Sequence, residues 1–206
     1  FFAPAPYGQK RQGGVQLPCK VPFALVGLAL SFFRWVWHRH RREDVLLIYL
    51  NDETPEYKLR HPMLVAAGSG FVDYEVPVTP SGWTHFGSIH SHGNEVAYQS
   101  GTDATDDQQS PGLHIIIGSL EKGTPTLHCV FSHGGHCFPV PPEDVFAQQE
   151  SGQPIFPERW VRGNVPSSPR PVRTSLPGGG PYVHRATPCT VSQCSVQSST
   201  SPASNW

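Results

Sequence analysis

Apolar positions along the chain fall into one long run and several short ones, and the length of each run predicts the element it forms. The long run, residues 21–33, is apolar nearly all round and continues into the more polar residues 34–41. It predicts a largely buried helix over about 21–41 with Pro22 at its start. A short β-branched and aromatic run at 45–50 predicts a buried strand. Further strands are predicted at 57–59, 71–78, 83–92, 112–120, 126–131 and 137–140.

Turn-forming residues separate these strands and complete the predicted fold. Residues 51–52, 80–82 and 134–135 are rich in Asn, Asp, Pro, Ser and Gly, which favours turns. A second helix is predicted near 102–109. Several strands with a helix in front of them are typical of an α+β fold built around one sheet.

Apolar density changes along the chain and predicts four regions. Residues 1–20 form an irregular N-terminal arm, and 21–147 form a single folded domain. Residues 148–162 are an extension that is predicted to pack on this domain through 155–161. Residues 163–206 are rich in Ser, Pro and Gly without periodicity, so they are predicted to be disordered.

Composition narrows the classes of function. The 206 residues have a formal net charge of -1 and 15% charged residues, so bulk charge implies no nucleic-acid partner. The five cysteines are odd in number and include no CxxC pair, which favours free thiols in a reducing, cytoplasmic compartment. The run 21–33 is shorter than the roughly 20 residues that a membrane-spanning helix needs, so no membrane partner is predicted.

Residues 34–42 mix Arg and His with Trp35 and Trp37, and this pattern has two interpretations. Cations and stacking rings are typical of contacts with single-stranded nucleic acid. The same pattern is typical of the polar end of an amphipathic helix whose tryptophans pack inward, and this second interpretation is favoured.

The pair of histidines at His90 and His92 carries the strongest chemical signal. Residues two apart on a strand point to the same face, so both imidazoles can reach one metal ion. Asp103 follows His92 by eleven residues, enough for the chain to turn back and supply a carboxylate. Two histidines and one carboxylate form a known catalytic zinc set that leaves one position for water. Ser100 lies three residues before Asp103 and could donate a hydrogen bond to an oxyanion.

The chain contains the pattern HSHx7SxxD, formed by His90-Ser91-His92, Ser100 and Asp103. This pattern resembles the signature of the JAMM (JAB/MPN) zinc metallopeptidases, especially their compact prokaryotic JAB members. The resemblance covers about residues 22–147. It implies a curved mixed sheet flanked by helices, a JAB/MPN-like relative of the cytidine-deaminase-like sandwich. It also implies one Zn²⁺ per chain, with His90, His92 and Asp103 as metal ligands and Ser100 as the oxyanion stabiliser.

The family pattern also includes an upstream glutamate that acts as general acid and base. Glu43 precedes the strand at 45–50 and lies 47 residues before His90, so it is the favoured candidate. Glu53 and Glu56 are competitors that follow this strand in a turn-like segment.

The resemblance implies a hydrolase in which glutamate assists attack of zinc-bound water on an amide or isopeptide bond. The bond that is cleaved would lie directly after the C-terminal tail of a ubiquitin-like or sulfur-carrier-like protein, or within a peptide. Two departures accompany the match: Gly93 stands where many relatives have Pro, which would loosen the loop, and the familiar ExxGxLxG pattern is absent after Glu43. The second departure motivates an alternative, a catalytically silent scaffold of the same fold.

Other polar residues nearby receive a structural interpretation. Asp106 and Asp107 are predicted to be solvated residues of the second helix. His114 is predicted to be a core histidine, with orientation of a metal ligand as the alternative. A second cluster lacks the spacing of a known zinc module and is predicted not to bind metal; it comprises His128, Cys129, His133, His136 and Cys137.

Overall fold

The computed structural model describes residues 3–4, 17–147 and 156–162, which form a mixed sheet flanked by helices. The strands, in chain order, are β1 Ala3–Pro4, β2 Val45–Asn51, β3 Tyr57–Arg60, β4 Met63–Gly68, β5 Phe71–Glu75, β6 Trp83–Ser91, β7 Gly112–Gly118, β8 Thr126–His133 and β9 His136–Pro139. The helices are α1 Phe23–His40, α2 Gly101–Gln109, α3 Pro142–Val145 and α4 Glu158–Arg162. The predicted α+β class with a mixed sheet is confirmed.

The main sheet has the strand order β1-β8-β7-β6-β2-β3, and β9 also pairs with β8. Strand β6 lies between β2, to which it is antiparallel, and β7, to which it is parallel. A parallel pair needs a crossover connection, and α2 lies in the connection from β6 to β7. The topology therefore brings the start of α2 back to the carboxyl end of β6.

Helix α1 packs one face on the core and is less buried than its apolar run predicted, because the residues between the buried positions are only partly covered. Its buried residues recur at helical spacing and form part of the main core; they are Val26, Ala29, Phe32, Phe33 and Val36. Pro22 occupies the N-cap position. Helix α1 is capped at its carboxyl end by Arg41, which has a left-handed φ of 50° and whose backbone N–H donates to the carbonyl of Trp37.

The pairing of β6 with β7 begins at two glycines in close contact. Gly87 has a φ of +146° and Gly112 a φ of +140°, a region that favours glycine. A Cβ atom on Gly87 would overlap the backbone of Leu113. The close approach fixes where β6 starts to pair with β7, and therefore the register of the histidines that follow.

The strand predicted at 71–78 is shorter than expected and lies outside the main sheet. It ends at Glu75, ahead of Pro77, because proline has no N–H to donate to a neighbouring strand. It pairs with β4, a strand that the hydrophobic pattern did not predict, in a separate two-stranded sheet. Met63 and Val65 on β4 are each 61% exposed, so its apolar side chains do not all mark a buried face.

The ends of the chain are described only in part. In the predicted irregular arm, Ala3–Pro4 pairs in parallel with β8. Phe156 and Trp160 pack on the core, and the Trp160 ring centroid lies 5.3 Å from that of Phe32. The predicted tail at 163–206 lies outside the described residues. None of the helices in the described ranges is long and apolar enough to cross a membrane.

Candidate metal centre

The two histidines of the predicted site lie at the carboxyl end of β6 and face the same side. His90 is 8% exposed and His92 is 7% exposed. Their Nε2 atoms lie 3.3 Å apart, and the His92 backbone N–H donates to the carbonyl of Ile117 on the neighbouring strand β7. Alternation along the strand and this backbone bond together aim both imidazoles at one point.

Asp103 reaches the same point from the first turn of α2. Its Oδ2 atom lies 3.2 Å from His92 Nε2, and its Oδ1 atom lies 3.5 Å from His90 Nε2. A reciprocal capping box holds it there: the Ser100 N–H donates to the Asp103 carboxylate, and the Asp103 N–H donates to the Ser100 hydroxyl. The helix cap therefore also positions the carboxylate.

The spacing of the donor atoms is compatible with one metal ion. Ligand bonds of 2.0–2.1 Å at tetrahedral angles place the donor atoms about 3.3–3.4 Å apart. The two Nε2 atoms are 3.3 Å apart and His92 Nε2 lies 3.2 Å from Asp103 Oδ2, close to this value, whereas the 3.5 Å contact of His90 Nε2 is with the other Asp103 oxygen, Oδ1. His90, His92 and Asp103 can therefore hold a metal ion, and they are the only such group of His, Cys, Asp and Glu in the described part of the chain.

The charge of Asp103 favours a cation at the site, whereas His90 has to be neutral to bind one. Burial alone would raise the pKa of Asp103, but hydrogen bonds with His90 and His92 hold it far below its usual range. Burial lowers the pKa of His90, and the hydrogen bond and charge of Asp103 more than reverse this, so the net shift is upward. Asp103 is therefore an anion, ready to bind a cation, throughout the neutral range.

Glu43 is the glutamate that the fold brings to the histidines. It is 8% exposed, and it lines the same pocket as His90, His92 and Asp103. Burial raises the pKa of its carboxyl group to about 8, and the opposing charge of His90 only partly offsets this shift. The competitors Glu53 and Glu56 are exposed in the turn at the far end of β2.

The raised pKa of Glu43 predicts how the stability of the metal-free protein depends on pH. Between its ordinary pKa of 4.5 and about 8, the folded protein keeps this proton and the unfolded chain has lost it. The folded state binds more protons in this window, so stability falls as the pH rises through it. Metal-free Glu43→Gln should therefore exceed wild type in stability at pH 8 by at least about 1.4 kcal/mol, or about 3–6 °C in Tm.

Thermal unfolding of both proteins from pH 4.5 to pH 8 measures this difference, which should shrink towards zero at the acid end. Glu95→Gln is the matched control, because Glu95 lines the same pocket but is exposed. A difference between Glu43→Gln and wild type that does not vary with pH would contradict the raised pKa.

Gly93, directly after His92, is tightly packed, so the expected loosening of the loop is wrong. Its φ is +52°, and the ring of Trp37 occupies the space that a side chain would need. Its carbonyl accepts a hydrogen bond of 3.0 Å from the Leu120 N–H. A proline, whose φ is fixed near about −65°, does not fit this backbone.

Gly93→Ala should lower the free energy of unfolding by about 2–4 kcal/mol, the combined cost of a left-handed residue with a Cβ and of overpacking against Trp37. Gly93→Pro should cost more. Denaturant unfolding measures both variants. Gly101→Ala is the control, since a Cβ there has no neighbouring heavy atom within 4 Å. Equal stability of the two alanine variants would rule out this role of Trp37.

A buried polar network beside the metal ligands was not predicted. Asp107 is 6% exposed, so its predicted solvation is wrong. Its carboxylate lies 3.1 Å from His114 Nδ1 and accepts a hydrogen bond of 2.7 Å from Gln99. Ser88 Oγ lies 3.0 Å from the same His114 nitrogen. His114 is thus a buried, hydrogen-bonded core histidine, as favoured, whereas Asp106 is exposed, as predicted.

Tyr98 and strand β5 also line the pocket, and little in the sequence indicated either. The Tyr98 ring meets the His92 ring edge to face at 4.9 Å between centroids, and Tyr98 is 40% exposed. Residues 71–74 of β5 line the pocket. Tyr98 falls inside the seven variable residues of the motif, and β5 lies well before it in the chain, so only tertiary contacts reveal their places.

The other residues that the sequence singled out lie outside the candidate metal centre. Trp35 and Trp37 pack against the main core, as the favoured interpretation expected, with Arg39 over the first ring and Arg41 over the second. The second His and Cys cluster on β8 and β9 forms no metal group among the described residues. Cys19, Cys129 and Cys137 are free thiols.

Comparison with protein-family models finds no match to this chain, and comparison with curated proteins finds no similar sequence.

Proposed function

We propose that this protein is a zinc-dependent hydrolase of the JAMM type that cleaves an amide or isopeptide bond. The observation that carries the proposal is the placement of Glu43, a buried carboxyl group, in one pocket with three side chains that can hold a metal ion. Metal ligands alone would serve a structural site equally well. A proton-transfer group beside an incomplete ligand set is typical of hydrolysis.

The donor set favours zinc. Imidazole nitrogens with a single carboxylate suit Zn²⁺, whereas Mg²⁺ and Ca²⁺ prefer oxygen ligands. His90, His92 and Asp103 would hold the ion, and three protein ligands leave a fourth position open. Zinc held by these three residues would lower the pKa of a water molecule and polarise a carbonyl group.

Glu43 is suited to the proton transfers of amide hydrolysis. A carboxyl group whose pKa is near neutral can accept a proton and later donate it to the leaving amine. Its burial keeps competing water away from the side chain. Near the bound ion its pKa would fall below 8, because the positive charge favours the carboxylate.

Ser100 is suited to stabilise the oxyanion that forms on the attacked carbonyl. Its oxygen accepts the backbone hydrogen bond from Asp103, and its hydroxyl also forms a side-chain hydrogen bond with the Asp103 carboxylate, from which it would turn to donate to the oxyanion. Ser100 lines the pocket and is anchored as the N-cap of α2. The hydrogen-bond donor is therefore fixed before the substrate arrives, as electrostatic stabilisation requires.

The HSHx7SxxD pattern and the mixed sheet also support a JAB/MPN-like fold and its class of substrate. We propose the C-terminal tail of a ubiquitin-like or sulfur-carrier-like protein, or a peptide, as the partner. Strand β5 beside the ligands offers a backbone edge along which an extended tail could pair. The free thiols favour a reducing, cytoplasmic setting.

The test is a cleavage assay on ubiquitin-like and sulfur-carrier-like fusions with zinc-loaded full-length protein. Cleavage should stop on treatment with a chelator and return with Zn²⁺ but not with Mg²⁺. Stoichiometric zinc without cleavage of any fusion or peptide would favour the catalytically silent scaffold instead.

A further inference from the structure

Ser91, between the two histidines, points away from the metal face. Side chains alternate along a strand, so His90 and His92 share one side and Ser91 occupies the other. Ser91 is 1% exposed. It is therefore a polar side chain inside the protein, and its partner explains its presence there.

That partner is the backbone of Asp44, the residue after Glu43. The Asp44 N–H donates to Ser91 Oγ at 3.2 Å, and the Ser91 N–H donates to the Asp44 carbonyl at 3.1 Å. One position further on, Val45 pairs with His90 in the regular ladder. The Ser91 side chain thus extends the β2–β6 pairing by one residue towards Glu43.

Hydrogen bonds hold the backbone of residues 43 and 44 on two sides, whereas no hydrogen bond from the described residues holds the carboxylate of Glu43. The Glu43 N–H donates to the carbonyl of Gly68 at the end of β4. Asp44 is fully buried, and its carboxylate lies 2.8 Å from His61 Nε2 and 3.5 Å from Arg42 Nη2. In the described part of the chain, the Glu43 carboxylate has no hydrogen-bond partner. Its position is therefore set by the backbone clamps.

We infer that Ser91 is a positioning residue that fixes Glu43 relative to the metal ligands, an inference that rests on the proposed function. The segment His90-Ser91-His92 then supplies two metal ligands from one face of β6, and from the other face it holds the backbone next to Glu43. A hydroxyl group is required because the Asp44 N–H has reached the end of the strand ladder and needs an acceptor.

The kinetic test compares zinc-loaded Ser91→Ala, Ser91→Thr and Ser132→Ala. Ser91→Ala should lower kcat by about 10²-fold, the effect of misplacing a reacting group by about 1 Å, with KM unchanged. Its zinc affinity should stay within about 3-fold of wild type, because both histidines and Asp103 remain. Ser91→Thr keeps the hydroxyl and should restore most of the rate. Ser132, also 1% exposed but on β8, is the control.

A double variant separates positioning of Glu43 from a general structural effect. If Ser91 acts through Glu43, Ser91→Ala should cause no further loss of kcat in the Glu43→Gln background. The same loss in both backgrounds would overturn the inference. Weaker zinc binding with kcat unchanged would also overturn it, because Ser91 would then position the ligands.

Amide hydrogen exchange tests the clamp without turnover. The Asp44 amide should exchange at least about 10-fold faster in Ser91→Ala and at the wild-type rate in Ser132→Ala, because only the first loses its acceptor. Unchanged exchange at Asp44 would overturn the inference. Wild-type protein that cleaves no substrate would refute the proposed function instead, and the exchange rates would still decide whether Ser91 holds this segment.

Discussion

Glu43→Gln is expected to lower kcat for amide-bond cleavage by about 10³-fold, within the range that a general acid–base group contributes. Glutamine has nearly the same shape as glutamate, but it can neither accept the proton nor pass it to the leaving amine. The pocket retains His90, His92 and Asp103, so the zinc content should remain about one ion per chain. Single-turnover cleavage of a fusion substrate, with metal analysis of the same sample, measures both quantities.

Glu95→Gln is the control for this experiment, because it removes a carboxylate from the lining of the same pocket. Glu95 is exposed, and its side chain lies 3.5 Å from the Tyr98 hydroxyl. Its loss changes the charge of the pocket without removing the buried carboxyl group. Equal loss of rate in both variants would show that pocket charge, and not proton transfer by Glu43, supports cleavage.

His92→Ala is expected to abolish stabilisation of the protein by zinc. At a free zinc concentration of about 100 times Kd, binding should add about 2.7 kcal/mol to the stability of the wild type, or about 5–10 °C in Tm. His92 Nε2 is the donor closest to both others, at 3.3 Å from His90 and 3.2 Å from Asp103. With two donors left, the ion loses its enclosing geometry, and Tm should not respond to zinc.

Thermal unfolding with and without zinc, together with metal content after gel filtration, measures this effect. His128→Ala is the matched control, because His128 is a partly buried histidine whose charge interacts with His92 but which lies outside the ligand group. A zinc response that survives in His92→Ala and disappears in His128→Ala would place the metal elsewhere.

The local part of the site could be predicted from sequence, for a physical reason. Two histidines separated by one residue share a face on any strand, and the Ser100–Asp103 spacing is that of a helix capping box. Each half of the ligand set thus depends on one element and its immediate neighbours. The strand at 45–50 was also predictable from its short β-branched and aromatic run, and the strand at 83–92 from the turn at 80–82 that precedes it.

Contacts distant in sequence decided the rest. Burial of Asp107 depends on His114 of β7, and the tight packing of Gly93 depends on Trp37 of α1. Neither partner is indicated by the residues next to it in the chain. The hairpin of β4 and β5 was missed for a related reason: its exposed Met63 and Val65 resemble core residues in a sequence pattern.

The sequence by itself determined the candidate ligands and the elements that carry them, since periodicity and capping act over a few residues. Only the tertiary structure decided which glutamate meets the ligands. Glu43, Glu53 and Glu56 flank the same strand, and the antiparallel pairing of β2 with β6 places Val45 opposite His90. That register brings Glu43 to the candidate metal ligands and places Glu53 and Glu56 at the other end of β2. Local sequence does not show this register, because pairing across a sheet depends on packing of the whole domain.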